Sequence, residues 1–151
     1  MTSRQYTTFE VADQLFGVGV EKVVEVLRFS EYTRVPLADK SVGGLINLRG
    51  QVMAAVDLGV RLGLEPRDMS KPSMNVIVSE DGEAISLLVD KIGDVVELQS
   101  DTFEPPPDTL AGPLRELIIG AFKLDSRLML ALDARRAVDL APNSAAKAAA
   151  R

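Results

Sequence analysis

Histidine and cysteine are both absent from this chain of 151 residues. Without histidine there is no Ser-His-Asp triad, no histidine general base and no histidine-ligated metal. Without cysteine there is no disulfide, no thiol nucleophile, no thiolate zinc site and no iron–sulfur cluster. Most known ways of building a catalytic site are thereby excluded, and we expect neither a cofactor nor a structural metal.

Aromatic residues and positive charge are also scarce. Aromatics make up 5% of the chain with no tryptophan, and 17 Lys and Arg stand against 22 Asp and Glu, a net charge of -5. An OB-like oligonucleotide binder would need stacking aromatics on a basic face, and nucleic-acid binding in general depends on neutralising phosphates. Anionic membrane surfaces are disfavoured for the same reason. We therefore expect a partner other than nucleic acid or lipid.

No apolar run approaches the roughly 20 residues of a transmembrane helix, and the N-terminal segment lacks the apolar core of a signal peptide. Hydrophobic residues at 46% and charged residues at 26% are typical of a globular protein. Folding a chain of this size buries about two-thirds of its surface, enough for one domain or two small lobes. We expect a cytoplasmic protein without direct membrane insertion.

Short apolar segments separated by turn signals predict a mainly β fold. The predicted strands are 9–11, 15–20, 42–48, 52–58, 76–78, 84–89, 95–98, 117–124 and 128–132. Residues 21–27 indicate a short helical turn followed by extended chain, and 59–64 and 134–140 indicate short helices. Two strand clusters on either side of a polar connector at about 66–73 predict two lobes that share an interface. The Ala-rich segment 142–151 predicts a flexible tail.

Four aspartates lie at or near the ends of predicted strands: Asp57, Asp90, Asp94 and Asp133. Strand-end carboxylates can form a catalytic pair or a Mg²⁺ site, which would suit a small β-barrel metal-dependent hydrolase using Asp57 or Asp90. Turn aspartates more often accept hydrogen bonds from nearby backbone amides. We favour the second interpretation.

The most specific local string is Asn47-Leu48-Arg49-Gly50. One interpretation is a turn with a surface arginine. The other is an arginine presented on rigid backbone to a carboxylate, either of this chain or of a partner. Glu25 is the internal candidate because it too interrupts an apolar stretch. The preceding glycines, Gly43 and Gly44, indicate a tight turn or bulge rather than a phosphate-binding loop.

Taken in chain order, the Asn47-Leu48-Arg49-Gly50 string and the apolar segments before and after it resemble the CheW family, the coupling proteins of bacterial chemotaxis arrays. The resemblance covers about residues 5–141, and Asn-Leu-Arg-Gly followed by Val-Asp-Leu is its most specific part. The regulatory domain of the histidine kinase CheA and the front half of CheV share the pattern. The matching segments are Phe9-Glu10-Val11, Phe16-Gly17-Val18, Val23-Val24-Glu25-Val26, Val42-Gly43-Gly44-Leu45-Ile46-Asn47-Leu48-Arg49-Gly50, Val56-Asp57-Leu58 and Val89-Asp90-Lys91-Ile92-Gly93-Asp94-Val95.

The resemblance implies one CheW-like domain over 5–141, built from two SH3-like five-stranded β-barrel lobes packed together, with short helices and a C-terminal helix. It implies an adaptor without catalysis. Such a protein couples the cytoplasmic tip of methyl-accepting chemotaxis receptors to CheA in a two-component pathway, and is recruited to membrane-associated receptor arrays.

The resemblance also implies which residues bind the receptor, although it identifies no kinase-contact residues. The receptor tip would dock in a groove between the lobes. We further predict that Glu25 and Arg49 form an ion pair at the rim of that groove, with Arg49 the position most sensitive to substitution. The implied receptor-binding residues are Val23, Glu25, Val26, Gly44, Leu45, Asn47 and Arg49.

Overall fold

The computed structural model describes residues 2–28, 42–64 and 74–139, which form ten strands and three short α-helices. The strands are β1 (Ser3–Val11), β2 (Gln14–Gly19), β3 (Val23–Arg28), β4 (Val42–Leu48), β5 (Gln51–Asp57), β6 (Met74–Glu80), β7 (Glu83–Val89), β8 (Lys91–Gln99), β9 (Ile118–Lys123) and β10 (Leu128–Leu132). The helices are α1 (Leu58–Arg61), α2 (Gly112–Leu117) and α3 (Ala134–Asp139), and single 3₁₀ turns span Val20–Lys22 and Ser100–Thr102. No helix in the described ranges is long and apolar enough to cross a membrane.

The strands form two five-stranded sheets. The first sheet has the order β8-β1-β2-β10-β9, and the second has the order β3-β6-β7-β5-β4. Neighbouring strands are antiparallel except β2 with β10 and β5 with β7, which are parallel. Each sheet therefore has one parallel pair among antiparallel neighbours. The predicted mainly β fold with two five-stranded units is confirmed. Among the described strands, no ladder of hydrogen bonds closes either sheet into a complete ring.

The predicted boundary between lobes at 66–73 is wrong. That stretch lies outside the described residues, but it connects β5 to β6, and both strands belong to the second sheet. The chain leaves the first sheet through the 3₁₀ turn Val20–Lys22 and returns to it at Asp90, between β7 and β8. The first sheet is thus assembled from both ends of the described chain, and the second from its middle.

Central strands are buried on both faces. Phe16 and Val18 of β2 point into a core shared by the two sheets, whereas Leu15 joins a separate cluster on the other face of the first sheet. In the second sheet Val56 faces the shared core and Met53 faces a third cluster. Fully burying a side chain of this kind contributes roughly 1.5–3 kcal/mol. The shared core therefore holds the two sheets together.

Three hairpins close with two-residue loops in which both residues have positive φ, the pattern of type I′ turns, whose twist matches that of the strands. The predicted turn at Asp81-Gly82 is confirmed, whereas the first turn is Ala12-Asp13, one residue earlier than the predicted Asp13-Gln14. The φ values are 50° and 65° at Ala12-Asp13, 51° and 87° at Arg49-Gly50, and 51° and 83° at Asp81-Gly82.

Two of the three α-helices lie where the sequence predicts a helix, and the third was not predicted. Helices α1 and α3 and the 3₁₀ turn before β3 lie where the sequence predicts them. Helix α2 is new, because the sequence predicts an irregular loop up to Pro113 followed by a strand from Leu117. Proline in the first helical turn loses no hydrogen bond there and presets φ for the helix. Leu117 ends α2 and is buried in the shared core. The predicted tail at 142–151 lies outside the described residues.

Ion pairs cross between elements where the chain passes from one sheet to the other. Lys22, in the first 3₁₀ turn, contacts Glu80 of β6 at 2.7 Å. Arg135 of α3, which follows the last strand of the first sheet, contacts Asp81 in the β6–β7 turn at 2.8 Å. Arg4 of β1 pairs with Glu21. These ion pairs join elements of the two sheets, and the turn between them, beside the shared core.

Candidate functional site

Glu25 and Arg49 form a bidentate ion pair. Arg49 Nη1 donates to Glu25 Oε2 at 2.8 Å, and Arg49 Nη2 donates to Glu25 Oε1 at 2.9 Å. Planar guanidinium and carboxylate groups match in this fork geometry, which fixes orientation as well as distance. The predicted ion pair is present, and Arg49 is also an exposed arginine in a turn, so the two interpretations of the string each describe part of the structure.

The pair joins the two edges of the second sheet. Glu25 lies on β3 and Arg49 follows β4, and these are the two edge strands. In a flat sheet of five strands the edges would lie roughly 19 Å apart. Direct contact between the two side chains therefore requires the sheet to curl strongly, as in a barrel. The ion pair acts as a clasp across the open side of the curl, and we call Glu25 and Arg49 the clasp.

The clasp is asymmetric in its exposure. The Arg49 side chain is 71% exposed and the Glu25 side chain is 26% exposed. The hydrogen bond to Glu25, followed by the charge of Glu25, raises the pKa of the Arg49 guanidinium above its usual value, so Arg49 stays protonated. A guanidinium has five N–H donors, of which Glu25 takes two. Because the side chain is mostly exposed, the remaining donors can meet water or an acceptor on a partner.

The backbone beneath Arg49 is held by Asn47. Arg49 has φ of 51° and Gly50 has φ of 87°, both in the left-handed region. The Gly50 N–H donates to Asn47 Oδ1 at 2.9 Å. Asn47 is exposed at the end of β4, opposite Val52 in the register with β5. The string Asn-Leu-Arg-Gly is therefore one structural unit, a turn with its own side-chain hydrogen bond.

The other predicted receptor-binding residues lie on the same two edge strands, but they differ in accessibility. Val23 and Val26 are half-buried on β3, and Val23 packs against the shared core. Gly44 and Leu45 are buried on β4, after an irregularity in the pairing between Val42 and Gly44. Of the predicted tight turn or bulge at the glycine pair, this shift in register agrees with the bulge. Buried positions shape this surface from beneath, whereas Asn47, Arg49 and part of Glu25 present side chains to solvent.

Two exposed valines next to the clasp were missed by the sequence analysis. Val24 of β3 is 56% exposed and Val52 of β5 is 38% exposed. Val24 falls where the pairing of β3 with β6 shifts register, between Val23 and Glu25. In the sequence Val24 belongs to an apolar run, and nothing local shows that a bulge turns it outward. The register itself depends on β6, which is distant in the chain.

Three of the four strand-end aspartates cap turns or helices. For three of them the interpretation as hydrogen-bond acceptors is confirmed, and Asp94 instead accepts a hydrogen bond from the Thr8 hydroxyl through its backbone carbonyl. Within the described ranges, no cluster of three or more acidic residues could hold a metal ion. The three capping contacts are Val60 N–H to Asp57 Oδ1 at 3.2 Å, Ala12 N–H to Asp90 Oδ2 at 2.8 Å and Arg136 N–H to Asp133 Oδ1 at 3.2 Å.

Two five-stranded β sheets around one shared core, with a charged clasp that joins the edges of the second sheet, define a two-lobed β domain. A family model described as the CheW-like domain matches residues 5–141 of the chain. Because this match covers most of the sequence, the chain belongs to the CheW family, as its ordered strings indicated.

Known proteins similar to this chain have consistent names. The chain is 27% identical over 130 residues to the probable chemotaxis protein CheW of Rhizobium etli, covering 86% of this chain and 84% of that protein. It is 29% identical over 126 residues to the chemotaxis protein CheW of Rhizobium meliloti, covering 83% and 81%. The crystal structure of the scaffolding protein TtCheW from Thermoanaerobacter tengcongensis matches with a TM-score of 0.78 and 28% identity, over 87% of this chain and 90% of that one.

Proposed function

We propose that this chain is a non-catalytic adaptor that couples methyl-accepting chemotaxis receptors to the histidine kinase CheA. The match of the CheW-like domain across residues 5–141 is the observation that carries the proposal. The similar proteins named above are called chemotaxis proteins, and the similar structure is described as a scaffolding protein. An adaptor works by presenting surface, and the clasp is a rigid, exposed piece of surface.

The receptor-binding surface in this proposal lies on the two edge strands of the second sheet. Its accessible centre is Arg49, whose guanidinium has N–H donors beyond the two that bind Glu25. The exposed Val24 precedes Glu25 in the chain, and the exposed Val52 pairs with Asn47. Interfaces concentrate their binding energy in a few anchors, among which arginine is enriched. A receptor tip built from helices would place apolar side chains on the valines and an acceptor oxygen near Arg49. Val23, Val26, Gly44 and Leu45 would support this surface from below.

The second partner is the regulatory domain of CheA, which we propose binds through contact between related β lobes. Like folds can form pseudo-symmetric contacts. Three exposed large hydrophobic side chains suit an apolar anchor: Val95 and Ile119 on the first sheet, and Phe103 in the segment that follows β8. None of the three lies on the sheet that carries the clasp, so both partners can be held at once. This arrangement requires a cytoplasmic protein that is recruited to membrane-associated receptor arrays.

The test is a pair of binding titrations with the intact chain. One uses a receptor cytoplasmic fragment, and the other uses the isolated regulatory domain of CheA. We expect both partners to bind with a dissociation constant of about 1 μM, which corresponds to a binding free energy of roughly -8.2 kcal/mol. No association with either partner at roughly tens of micromolar would overturn the proposal, since that lies well above the expected range.

A charge-matched pair of variants localises the receptor site. Arg49→Glu should weaken receptor binding while leaving kinase-domain binding intact. Lys123→Glu is the control, because Lys123 is also exposed and paired with a glutamate, Glu104, but lies on the first sheet. If both variants weaken receptor binding equally, net charge rather than the clasp governs the interaction.

A further inference from the structure

The turn that carries Arg49 has an unfavourable residue in its first loop position. Both loop residues of a type I′ turn have positive φ, so Asn, Asp or Gly is preferred there. The β6–β7 hairpin follows that preference with Asp81-Gly82, whereas the β4–β5 hairpin has arginine at φ of 51°. An L-residue with a long side chain is disfavoured in this conformation, because its Cβ crowds the following carbonyl oxygen. Local backbone strain of this kind persists only where surrounding contacts enforce it.

Two contacts enforce it here, one on each side of the turn. Glu25 holds the guanidinium from the opposite edge of the sheet through both carboxylate oxygens. Asn47 holds the backbone, because its Oδ1 accepts the Gly50 N–H at 2.9 Å and so fixes the turn that places Arg49. Asn47 is exposed, so burial in a core does not account for its position. The hydrogen bond to Gly50 does.

We propose that Asn47 is a positioning residue for Arg49, because it locks the left-handed turn from which Arg49 reaches Glu25. Arginine at this turn position serves recognition and lowers the stability of the turn. This inference rests on the proposed function only where it assigns Arg49 to receptor recognition. The lock itself is a property of the free chain. Asn47 then contributes to receptor binding through Arg49 rather than by its own contact with the receptor.

The first test compares Asn47→Ala with Asn47→Asp in the full chain. Aspartate keeps an acceptor oxygen in the same place, whereas alanine removes it. We expect Asn47→Ala to speed hydrogen exchange of the Gly50 amide and to weaken binding of the receptor fragment about two- to tenfold, the range for one lost hydrogen bond. Asn47→Asp should restore the protection of Gly50. Unchanged Gly50 exchange in a folded Asn47→Ala variant would overturn the lock.

A double-mutant cycle separates positioning from direct contact. If Asn47 acts through Arg49, Asn47→Ala should have no further effect on receptor affinity once Arg49→Ala is in place. If the two substitutions instead add, Asn47 contacts the receptor itself and the positioning role is wrong. The cycle uses affinity differences between folded variants, so melting temperatures of all four proteins are measured alongside.

The third test replaces Arg49 with the residue that the turn prefers. Arg49→Asn should leave the melting temperature unchanged or raise it, because the turn strain is relieved, and should weaken receptor binding about tenfold or more. Ala12→Asn is the matched control, since Ala12 occupies the same position of the β1–β2 turn at φ of 50°. That variant should stabilise the chain without affecting binding. A clear fall in the melting temperature of Arg49→Asn would show that arginine is there for stability, and would contradict the proposal.

The outcomes distinguish failure of this inference from failure of the proposed function. If the unsubstituted chain does not bind the receptor fragment, the adaptor role fails. The Gly50 exchange rates and the melting temperatures still decide whether Asn47 locks the turn and whether Arg49 strains it.

Discussion

Arg49 and Glu25 meet because a left-handed turn and a curled sheet bring two edge strands within reach of one another. Residue chemistry alone left two interpretations of this string open, a turn with a surface arginine or an arginine that meets a carboxylate, and Glu25 was the internal candidate for that carboxylate. The curl that makes the contact possible depends on all five strands of the sheet. Chemistry therefore supplied Glu25 as a candidate partner for Arg49, whereas the role of the pair as a clasp between edges was not predictable from the sequence.

Reversing the clasp tests which of its contacts matters for the partner. Arg49→Glu alone should be the most damaging single change, because it places two carboxylates together. We expect the double variant Glu25→Arg with Arg49→Glu to recover part of the receptor affinity, since the fork can reform with reversed charges. Affinity for the receptor fragment is the measurement, with melting temperature as the folding control. Complete absence of recovery would show that Arg49 contacts a receptor acceptor directly and that the internal pair is secondary.

Single elements of this fold follow from short-range chemistry. The hairpins at Asp81-Gly82 and at 124–127 join strands that are neighbours in sequence, so local turn signals are sufficient to find them. Helix α1 is similar, because Asp57 precedes it and accepts the Val60 N–H. Helix α2 was missed because its Gly-Pro start is also typical of a loop, and only packing of Leu117 in the shared core favours the helix.

Capping at Asp57 predicts a stability effect rather than a catalytic one. Asp57→Ala should destabilise the chain by about 0.5–2 kcal/mol, the usual cost of losing an N-cap. Asp57→Asn keeps an acceptor oxygen and should cost much less. Urea unfolding of the two variants is the measurement. A metal-dependent hydrolysis that Asp57→Asn abolished without loss of stability would favour the hydrolase that we set aside.

At the scale of the whole molecule, the sheets are defined by contacts that sequence patterns do not show. The parallel pairs β2–β10 and β5–β7 join strands that are far apart in the chain. A polar connector at 66–73 therefore looked like a boundary between lobes, although it links two strands of one sheet. Composition and strand count give the number of lobes, but assignment of strands to lobes needs the long-range pairing.

Glu21, in the 3₁₀ turn where the chain passes between the sheets, should make the stability of the fold weakly dependent on acid. Partial burial raises the pKa of Glu21, but hydrogen bonds from its backbone and from Arg4 outweigh this and lower the pKa below its usual value of 4.5. A lowered pKa in the folded state means that the unfolded chain binds the proton more readily. The contribution is therefore present above about pH 4.5 and is lost as the pH falls through the folded value.

The side chains of Glu21 and Arg4 are both about half exposed, which limits the size of this effect. We expect it to change the free energy of unfolding by about 0–1 kcal/mol. Urea unfolding from pH 7 to pH 3 would show it as a difference between the wild type and Glu21→Gln that is present at neutral pH and shrinks in acid. Glu97→Gln, on β8 of the first sheet, is the control. A difference that grows in acid would mean that the sign is wrong and that burial of Glu21 dominates.

Bridging is the central claim, and it has one direct measurement. A receptor cytoplasmic fragment is immobilised, CheA is added at a fixed concentration, and the kinase retained is measured as this chain is titrated. A bridge gives retention that rises with the chain and then falls at excess, when receptor and kinase are each saturated by separate copies. Arg49→Glu should flatten the curve, because it removes the receptor side of the bridge. Kinase retention that does not depend on the chain at any concentration would contradict the account.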